Sequence, residues 1–426
     1  MNGVGFLEKL LDGVEVQWLP LGTLADIYGG LSGKEKSDFS DGNAKYVTYK
    51  NIFSNISVDL SALETVKVST TETQNRVQFG DVLFTGSSET ANEVGMSSAV
   101  TTQLDEAIYL NSFSFGVRFH GCVPISPNFS KYLFQSSFMR LTIAKTASGV
   151  TRFNVSKERF RKILVPVICP NDRKKSFEIQ AEIVRILDAF TELTAELTAE
   201  LTARQKQYNY YREQFLNFQD TNINRLHLGK PEIGEFIRGG GLQKKDFTEK
   251  GVGCIHYGQI YTHYGTYADR TKTYISVDFF KKARKAKTGD LVIATTSEND
   301  QDVCKAVAWL GDDEIAVSSD ACIYRHKLNP KYVAYFFQTE QFQKQKKQYI
   351  TGTKVRRVNA DDLAKILIPV PSLREQDHIA AILEKFDALT NSLIEGLPSE
   401  IALRQKQYAH YRDLLLSFPM PKEDTD

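Results

Sequence analysis

The pentapeptide Arg204-Gln-Lys-Gln-Tyr208 returns as Arg404-Gln-Lys-Gln-Tyr408, 200 residues further along a chain of 426. The match widens around it. Tyr211-Arg212 corresponds to Tyr411-Arg412 and Phe218 to Phe418, while upstream Ile183–Leu187 and Phe190 correspond to Ile379–Leu383 and Phe386 at an offset of 196. A unit of this length is not a solenoid repeat, whose periods run to about 20–50 residues. The chain reads as one half-protein written twice, which predicts approximate twofold symmetry and a target that shares it.

The repeat also covers the segments before the helices. Ser148-Gly149 through Val167 aligns with Thr351-Gly352 through Val370, and Gly80-Asp81-Val82-Leu83-Phe84 with Gly289-Asp290-Leu291-Val292-Ile293. Tyr49, Ile52 and Phe53 align with Tyr257, Ile260 and Tyr261, and Leu21-Gly22 with Leu228-Gly229. Each half is thus a variable block of roughly 150 residues, a domain's worth of chain, followed by a more similar helical block. The variable blocks read as strand-rich. Val82–Thr85 and Leu291–Thr295 follow a Gly-Asp turn, and Tyr46–Phe53 alternates apolar and polar residues as a strand would. Short helices are expected near Pro127–Leu141 and Pro330–Tyr349, and another before each Ile-Leu-x-Pro-Val, with that Pro closing it.

From Glu178 to Phe218 apolar residues recur in steps of three and four, the signature of one helix face. A continuous helix of that length would extend about 60 Å. Inside it runs Leu193-Thr-Ala-Glu, Leu197-Thr-Ala-Glu, Leu201-Thr-Ala, a leucine stripe flanked by small alanines that lets another helix approach. The second helix begins near Glu375 and carries Ile379, Ile382, Phe386, Leu389 and Leu393 on its face. Gly396-Leu397-Pro398 should break it, with Ser399 as N-cap of a new helix. Core packing alone explains such stripes; here packing and function coincide, because two long helices pairing antiparallel would hold the variable blocks apart.

The five cysteines are scattered, so neither a disulfide framework nor a metal site follows, and a reducing cytoplasm is the natural setting. Residues 1–20 lack an apolar signal core, and no run approaches a membrane span. His256 and His263 lack carboxylates or cysteines at ligand spacing, and Gly29–Glu35 departs from a phosphate loop in spacing and in its last residue. Lys+Arg 53 against Asp+Glu 52 gives a net charge of only +1, modest for a chain that binds nucleic acid alone. The basic residues cluster nonetheless: Lys281–Lys287, Lys344 with Lys346-Lys347, Lys354 with Arg356-Arg357, and Lys157 with Arg159, Arg161 and Lys162. A solvated face accounts for any one cluster; four confined to the variable blocks favour phosphate contact.

The duplicated Arg-Gln-Lys-Gln-Tyr with its downstream Tyr-Arg, the Ile-Leu-x-Pro-Val ending each variable block and the Leu-Thr-Ala-Glu spacer together resemble the specificity subunits of type I restriction–modification systems, over nearly the whole chain. The resemblance implies an α+β chain with two globular, mixed α/β, strand-rich target-recognition domains. Two long helices separate them and form an antiparallel coiled coil with pseudo-twofold symmetry. The implied boundaries are a recognition domain at 15–172, a helical region at 173–218, a second recognition domain at 219–372, a second helical region at 373–418 and a tail at 419–426. Residues 1–22 would complete, beside the C-terminal helix, the circular repeat that Phe215–Gly229 supplies internally. The implied partners are double-stranded DNA with a split target, two modification (adenine methyltransferase) subunits and the restriction (translocase/nuclease) subunits. The implied chemistry resides in those partners, with S-adenosylmethionine, ATP and Mg there and no cofactor in this chain. No Pro-Pro dipeptide occurs, so the motif that holds a flipped adenine is missing. A recognition subunit of a related methylation-only or phage-defence system would share this architecture, and a coiled-coil scaffold with non-DNA lobes would share the repeat.

Reading bases requires side chains at groove edges, with amides suited to adenine and arginine to guanine. Lys50-Asn51 follows Tyr49 and Gly258-Gln259 follows Tyr257, so Asn51 and Gln259 are the first candidates. The loops after the Gly-Asp strands supply Ser87, Ser88 and Glu89 against Thr296, Ser297 and Glu298. Thr151 and Arg152 stand against Lys354, Arg356 and Arg357, beside the shared Gly149 and Gly352. Any of these could instead place phosphates or serve a turn. Tyr257, Tyr261, Tyr264 and Tyr267 either stack on sugars or pack in a core. One prediction comes from the tetrapeptide. Inserting one more Leu-Thr-Ala-Glu lengthens the helix by about 6 Å and turns its face by only about 40°. Methylome sequencing of cells carrying that variant should show a target spacer longer by one or two base pairs with both half-sites unchanged.

Overall fold

The computed structural model describes residues 3–218, 222–392 and 396–420. It divides into two compact units, Met1–Glu196 with Ala402–Asp426, and Leu197–Ile401. The same architecture is built in each.

In the first unit a four-stranded antiparallel sheet runs in the order Ala25–Gly29, Ser114–Phe119, Val82–Thr85, Ser97–Ala99. In the second the order is Gly234–Arg238, Ala321–His326, Leu291–Ala294, Ala306–Trp309, extended by Tyr267–Ala268 in parallel. The strand after the Gly-Asp turn is apolar throughout because it is covered on both faces. Val82 and Phe84 belong to a core with helices, while Leu83 belongs to a second core with Val47 and Ile52. Leu291 and Ile293 against Val292 and Ala294 divide the same way. A strand buried on both sides loses its alternation and reads as a continuous apolar run.

The Gly-Asp turn is anchored in each unit by a buried aspartate paired with a half-buried arginine. Asp81, with no exposed surface, accepts from Arg118 Nε at 2.8 Å and Nη2 at 2.7 Å, from Tyr28 Oη at 2.6 Å and from the Gln78 amide at 2.8 Å. Asp290 accepts from Arg325 Nη2 at 2.9 Å and from the Lys287 amide at 2.8 Å. Burial and the neighbouring Asp81 charge together hold the Tyr28 phenol far above its ordinary pKa, so it remains a donor.

Three local expectations differ from the structure. Tyr46–Phe53 is not one strand: Ala44–Val47 is a strand and Tyr49–Ser54 a helix, because Thr48 accepts from the Asn51 amide and caps it. The Pro of Ile-Leu-x-Pro-Val does not close a helix. It lies in the strands Leu164–Ile168 and Leu367–Pro369, each paired only with one N-terminal strand, Val16–Pro20 or Arg225–His227. A two-stranded ribbon leaves an edge where a missing N–H is tolerated. Ser399 is not an N-cap, since the last helix, Leu397–Leu415, already includes it. The stretches expected to hold short helices each hold two, Pro127–Leu133 and Ser137–Lys145, then Pro330–Phe336 and Glu340–Lys347, separated by the caps Ser136 and Thr339.

The first long helix is continuous over 44 residues, Arg173–Leu216. Its counterpart, Leu373–Asn391, is separated from Leu397–Leu415. Gly396 at φ +86° sits where a Cβ would lie 2.5 Å from the Ala388 carbonyl and 2.7 Å from that of Leu389, so only glycine fits. Leu193, Leu197, Leu201 and Leu389 are half-buried, whereas Leu393 lies outside the described residues. Within the first unit Ile179, Ile183 and Leu187 share a core with Leu7, Leu11, Leu415, Leu416 and Phe418, and Phe190 stacks on Tyr411 at 5.2 Å. Trp18 Nε1 donates to the Pro419 carbonyl at 2.7 Å. Within the second unit Ile379 and Leu383 share a core with Tyr208 and Leu216, and Phe386 stacks on Tyr208 and Tyr211. Among the described residues no helix is long and apolar enough to cross a membrane.

Replacing Asp81 by Ala removes the fully buried acceptor of the half-buried Arg118 and a turn cap at once. We expect destabilisation of about 2 kcal/mol, since the exposed part of Arg118 can be solvated while the buried Tyr28 and Gln78 donors lose their acceptor, read as an earlier first transition in urea denaturation, with Asp81→Asn intermediate.

A repeated cleft as candidate nucleic-acid interface

Three elements converge on one cleft in each unit. In the first, the helix Tyr49–Ser54 contributes Tyr49 and Phe53, the loop after the Gly-Asp strand contributes Ser87, Ser88, Glu89 and Glu93, and the hairpin tip contributes Val150, Thr151 and Arg152, with Phe113 beside them. In the second, the helix Tyr257–Thr262 contributes Tyr257, Gly258 and Tyr261, the loop contributes Thr296, Ser297, Glu298, Asn299 and Asp302, and the hairpin contributes Val355. The residues correspond through the repeat: Tyr49 to Tyr257, Phe53 to Tyr261, Ser87-Ser88-Glu89 to Thr296-Ser297-Glu298, and Glu93 to Asp302.

A phenol ties helix to loop in both. Tyr49 Oη donates to the Ser87 carbonyl at 2.8 Å, and Tyr261 Oη to the Thr296 carbonyl at 2.8 Å. Burial holds the Tyr261 phenol well above its usual range, which keeps it a donor. The hairpin is tied to the loop by backbone pairing, Phe153 with Ser88 and Arg357 with Thr296. The cleft walls are therefore fixed by main-chain and phenol contacts, leaving several side chains at the mouth.

The first-choice amides are not at that mouth. Asn51 is buried; its Nδ2 donates to the Asp59 carbonyl at 2.7 Å and its Oδ1 accepts from the Asp59 amide at 3.0 Å, so it braces the following loop. Gln259 Oε1 accepts from the His256 amide at 3.0 Å and its Nε2 donates to Thr273 Oγ1 at 3.1 Å, closing a capping box. The two amides are equivalent, but as residues of a first helical turn. Ser87 and Thr296 are also buried, leaving Ser88 and Ser297 nearer the opening. Lys50 is exposed but does not line the cleft. Thr151 and Arg152 are at the first cleft, and Lys354 and Arg357 are exposed on the second hairpin.

The arginines differ. Arg152 is held by a neutral partner, Ser87 Oγ, at 3.2 and 2.9 Å from Nε and Nη2, and lies over Phe113. Arg356 pairs with Asp300 at 2.8 Å. Arg152 therefore lines the first cleft on a neutral partner, whereas Arg356 is ion-paired and only its neighbour Val355 lines the second. Lys346, counted above in a basic cluster, is 1% exposed and unavailable to phosphate. Tyr264 is buried and accepts from the Lys272 amide, and Tyr267 Oη donates to Glu384, so only Tyr257 and Tyr261 of the tyrosine series reach the cleft. The acidic residues Glu93 and Asp302 escaped sequence reasoning; the repeat alignment would have found them, since both stand four residues after the shared Glu.

The geometry makes a test specific. Removing the Ser87 hydroxyl should free Arg152 while leaving the Tyr49 bond to the main chain. Ser87→Ala should change DNA discrimination at one half-site by about 1 kcal/mol with no change in urea midpoint, measured by competition binding in the assembled complex.

Comparison with known proteins agrees with this repeat. Residues 14–204 and 231–403 each match the type I restriction modification DNA specificity domain. The chain is 32% identical to the EcoR124I/EcoR124II specificity subunit of Escherichia coli over 440 residues, covering 99% of both chains. It is 29% identical to a putative type I restriction enzyme specificity subunit of Haemophilus influenzae, covering 98% of this chain and 99% of that one. A solved structure described as concerning complex assembly and conformational transition of the type I R-M system aligns at a TM-score of 0.64 and 14% identity, over 94% of this chain and 97% of that one. A type I S subunit from M. genitalium aligns at 0.50 and 13% identity, over 96% and 98%. With two matching domains and a full-length relative, this chain belongs to the type I restriction–modification DNA specificity family.

Proposed function

We propose that the chain recognises a split double-stranded DNA target, one half-site per unit, and directs adenine methylation and restriction by partner subunits in the cytoplasm. The observation that carries this reading is the pair of repeat-related clefts, each walled by the same three elements. Their chemistry favours base edges over phosphate. Glu89 and Glu93, like Glu298 and Asp302, would repel a phosphate, yet a carboxylate accepts well from the exocyclic amino group of cytosine. Arg152 adds a donor fork suited to guanine. The exposed basic residues around the clefts, Lys50, Lys157, Lys354 and Arg357 among them, would supply the non-specific phosphate contacts that set register.

In this reading the chain performs no chemistry. Two modification subunits would bring S-adenosylmethionine, restriction subunits would bring ATP and Mg, and this chain would contribute target choice and placement. With net charge of only +1, tight binding should need the modification subunits around the duplex.

Long-read methylome sequencing with the cognate modification subunit should show one split motif with modified adenines in both halves. Glu89→Ala and Glu298→Ala should each relax one half-site, and not the same one, by roughly 1–3 kcal/mol of discrimination. Unchanged motifs in both variants would exclude the clefts as the reading surface.

A further inference from the structure

Each cleft loop is held from behind by a cation, half-buried Arg140 in the first unit and buried Lys346 in the second, and the two come from positions that the repeat does not align. In the first unit Arg140, on the helix Ser137–Lys145, donates from Nη2 to the carbonyls of Asn92 at 3.1 Å and Val94 at 2.8 Å, and from Nη1 to that of Gly95. In the second unit Lys346, on the helix Glu340–Lys347, donates from Nζ to the carbonyls of Gln301 at 3.1 Å and Val303 at 2.8 Å. Asn92 and Gln301, Val94 and Val303, and Gly95 and Cys304 are the same loop positions, 209 residues apart in every case. Even the backbone agrees, with φ +65° at Gly95 and +71° at Cys304. The cations, by contrast, are not equivalent: the residue aligned with Lys346 is Ile143, and the one aligned with Arg140 is Gln343.

Packing explains the exchange. At Gly95 an added Cβ would lie 2.5 Å from Ile143 Cγ2, so the isoleucine occupies the ground beside the loop and the cation arrives from one turn earlier. In the second unit the pair is Cys304 with Lys346, and the lysine itself takes the isoleucine's place. A buried ammonium has three donors and no acceptor, and its burial is costly unless carbonyls surround it. Burial also lowers the pKa of both cations, that of Arg140 to about 10, as expected when dipoles and not a carboxylate are the partners. Two different solutions to one geometric requirement point to the loop, not the helix, as what must be held. The opposite side of that loop presents Glu89 and Glu93, or Glu298 and Asp302, to the cleft.

We infer that Arg140 and Lys346 are positioning residues for target specificity, each holding the cleft loop of its own unit in the conformation that reads one half-site. The inference rests on the clefts being the DNA-reading surface.

The test uses the full chain assembled with its modification subunits, on duplexes carrying single mismatches in either half-site. Arg140→Met should lower the match-to-mismatch methylation ratio roughly tenfold at one half-site, and Lys346→Met should do so at the other. Hydrogen exchange of loop amides 88–95 or 297–304 should accelerate in the corresponding variant alone. Arg140→Lys and Lys346→Arg should restore most of both readouts. Where a Met variant fails to assemble, Lys346→Gln and Arg140→Gln keep a donor and should show the same half-site asymmetry in weaker form. Two results would overturn the inference: loosened loops with undiminished discrimination, or equal loss at both half-sites. If Glu89→Ala and Glu298→Ala relax their half-sites while the cation variants do not, only the positioning role fails. If the glutamate variants are also silent, the reading of the clefts itself fails.

Discussion

Leu415, Leu416 and Phe418 are buried among residues that lie between Leu7 and Leu187, and the remainder of the first unit depends on that closure. The strand-rich block cannot cover the helix face of Ile179, Ile183 and Leu187 with its own residues alone, so the C-terminal helix supplies the missing apolar surface. Tyr208 and Leu216 do the same in the second unit, beside Ile379 and Leu383. Removing apolar area from water is the dominant stabilising contribution at such a seam. The consequence is a circularly permuted core: each recognition block is completed by the pentapeptide helix that follows the other block in sequence.

Polar contacts make the same closure directional. Asp413 accepts from the backbone and side chain of Ser137 in the first unit, and Glu213 accepts from the Glu340 amide in the second. Both carboxylates meet the first free N–H of the second helix of the pair, where the helix dipole favours negative charge. Gln180 and Gln376, both buried, accept from the amides of Ser126 and Asn329 at the start of the first helix of the pair. The helix pair behind each cleft is thus held at both of its N-termini, and it is the rigid backing from which Arg140 and Lys346 reach the cleft loops. In the proposed reading such a support matters, because small displacements at a reading edge alter hydrogen-bond geometry.

Much of this was legible in the chain. The duplication, the short helices near Pro127–Leu141 and Pro330–Tyr349 and the long helix followed from recurring residues and from apolar steps of three and four. Local competition was less legible. Tyr46–Phe53 alternates like a strand, yet Thr48 offers a cap that turns its second half into a helix. Pro166 and Pro369 looked like helix stops, yet each lies in a strand with a single partner. The site showed the same division. The loops of Ser87–Glu89 and Thr296–Glu298 were identified as elements, but Asn51 and Gln259 were misjudged because an amide's sequence position does not reveal that backbone groups already satisfy it.

The sequence by itself determined that this protein is a doubled unit with two variable blocks and helical connectors, because repeated identities and helical periodicity are properties of order along the chain. Only the tertiary structure decided which polar groups remain open for a ligand. It showed that Lys346 is a buried strut and not part of a basic patch, and that Arg152 bonds a hydroxyl while Arg356 is ion-paired with Asp300. It also showed that Arg140 and Lys346, unaligned in the repeat, hold the same carbonyls. The physical reason is that hydrogen-bond satisfaction depends on distance in space, and the partners concerned are 43 to 65 residues apart in the chain.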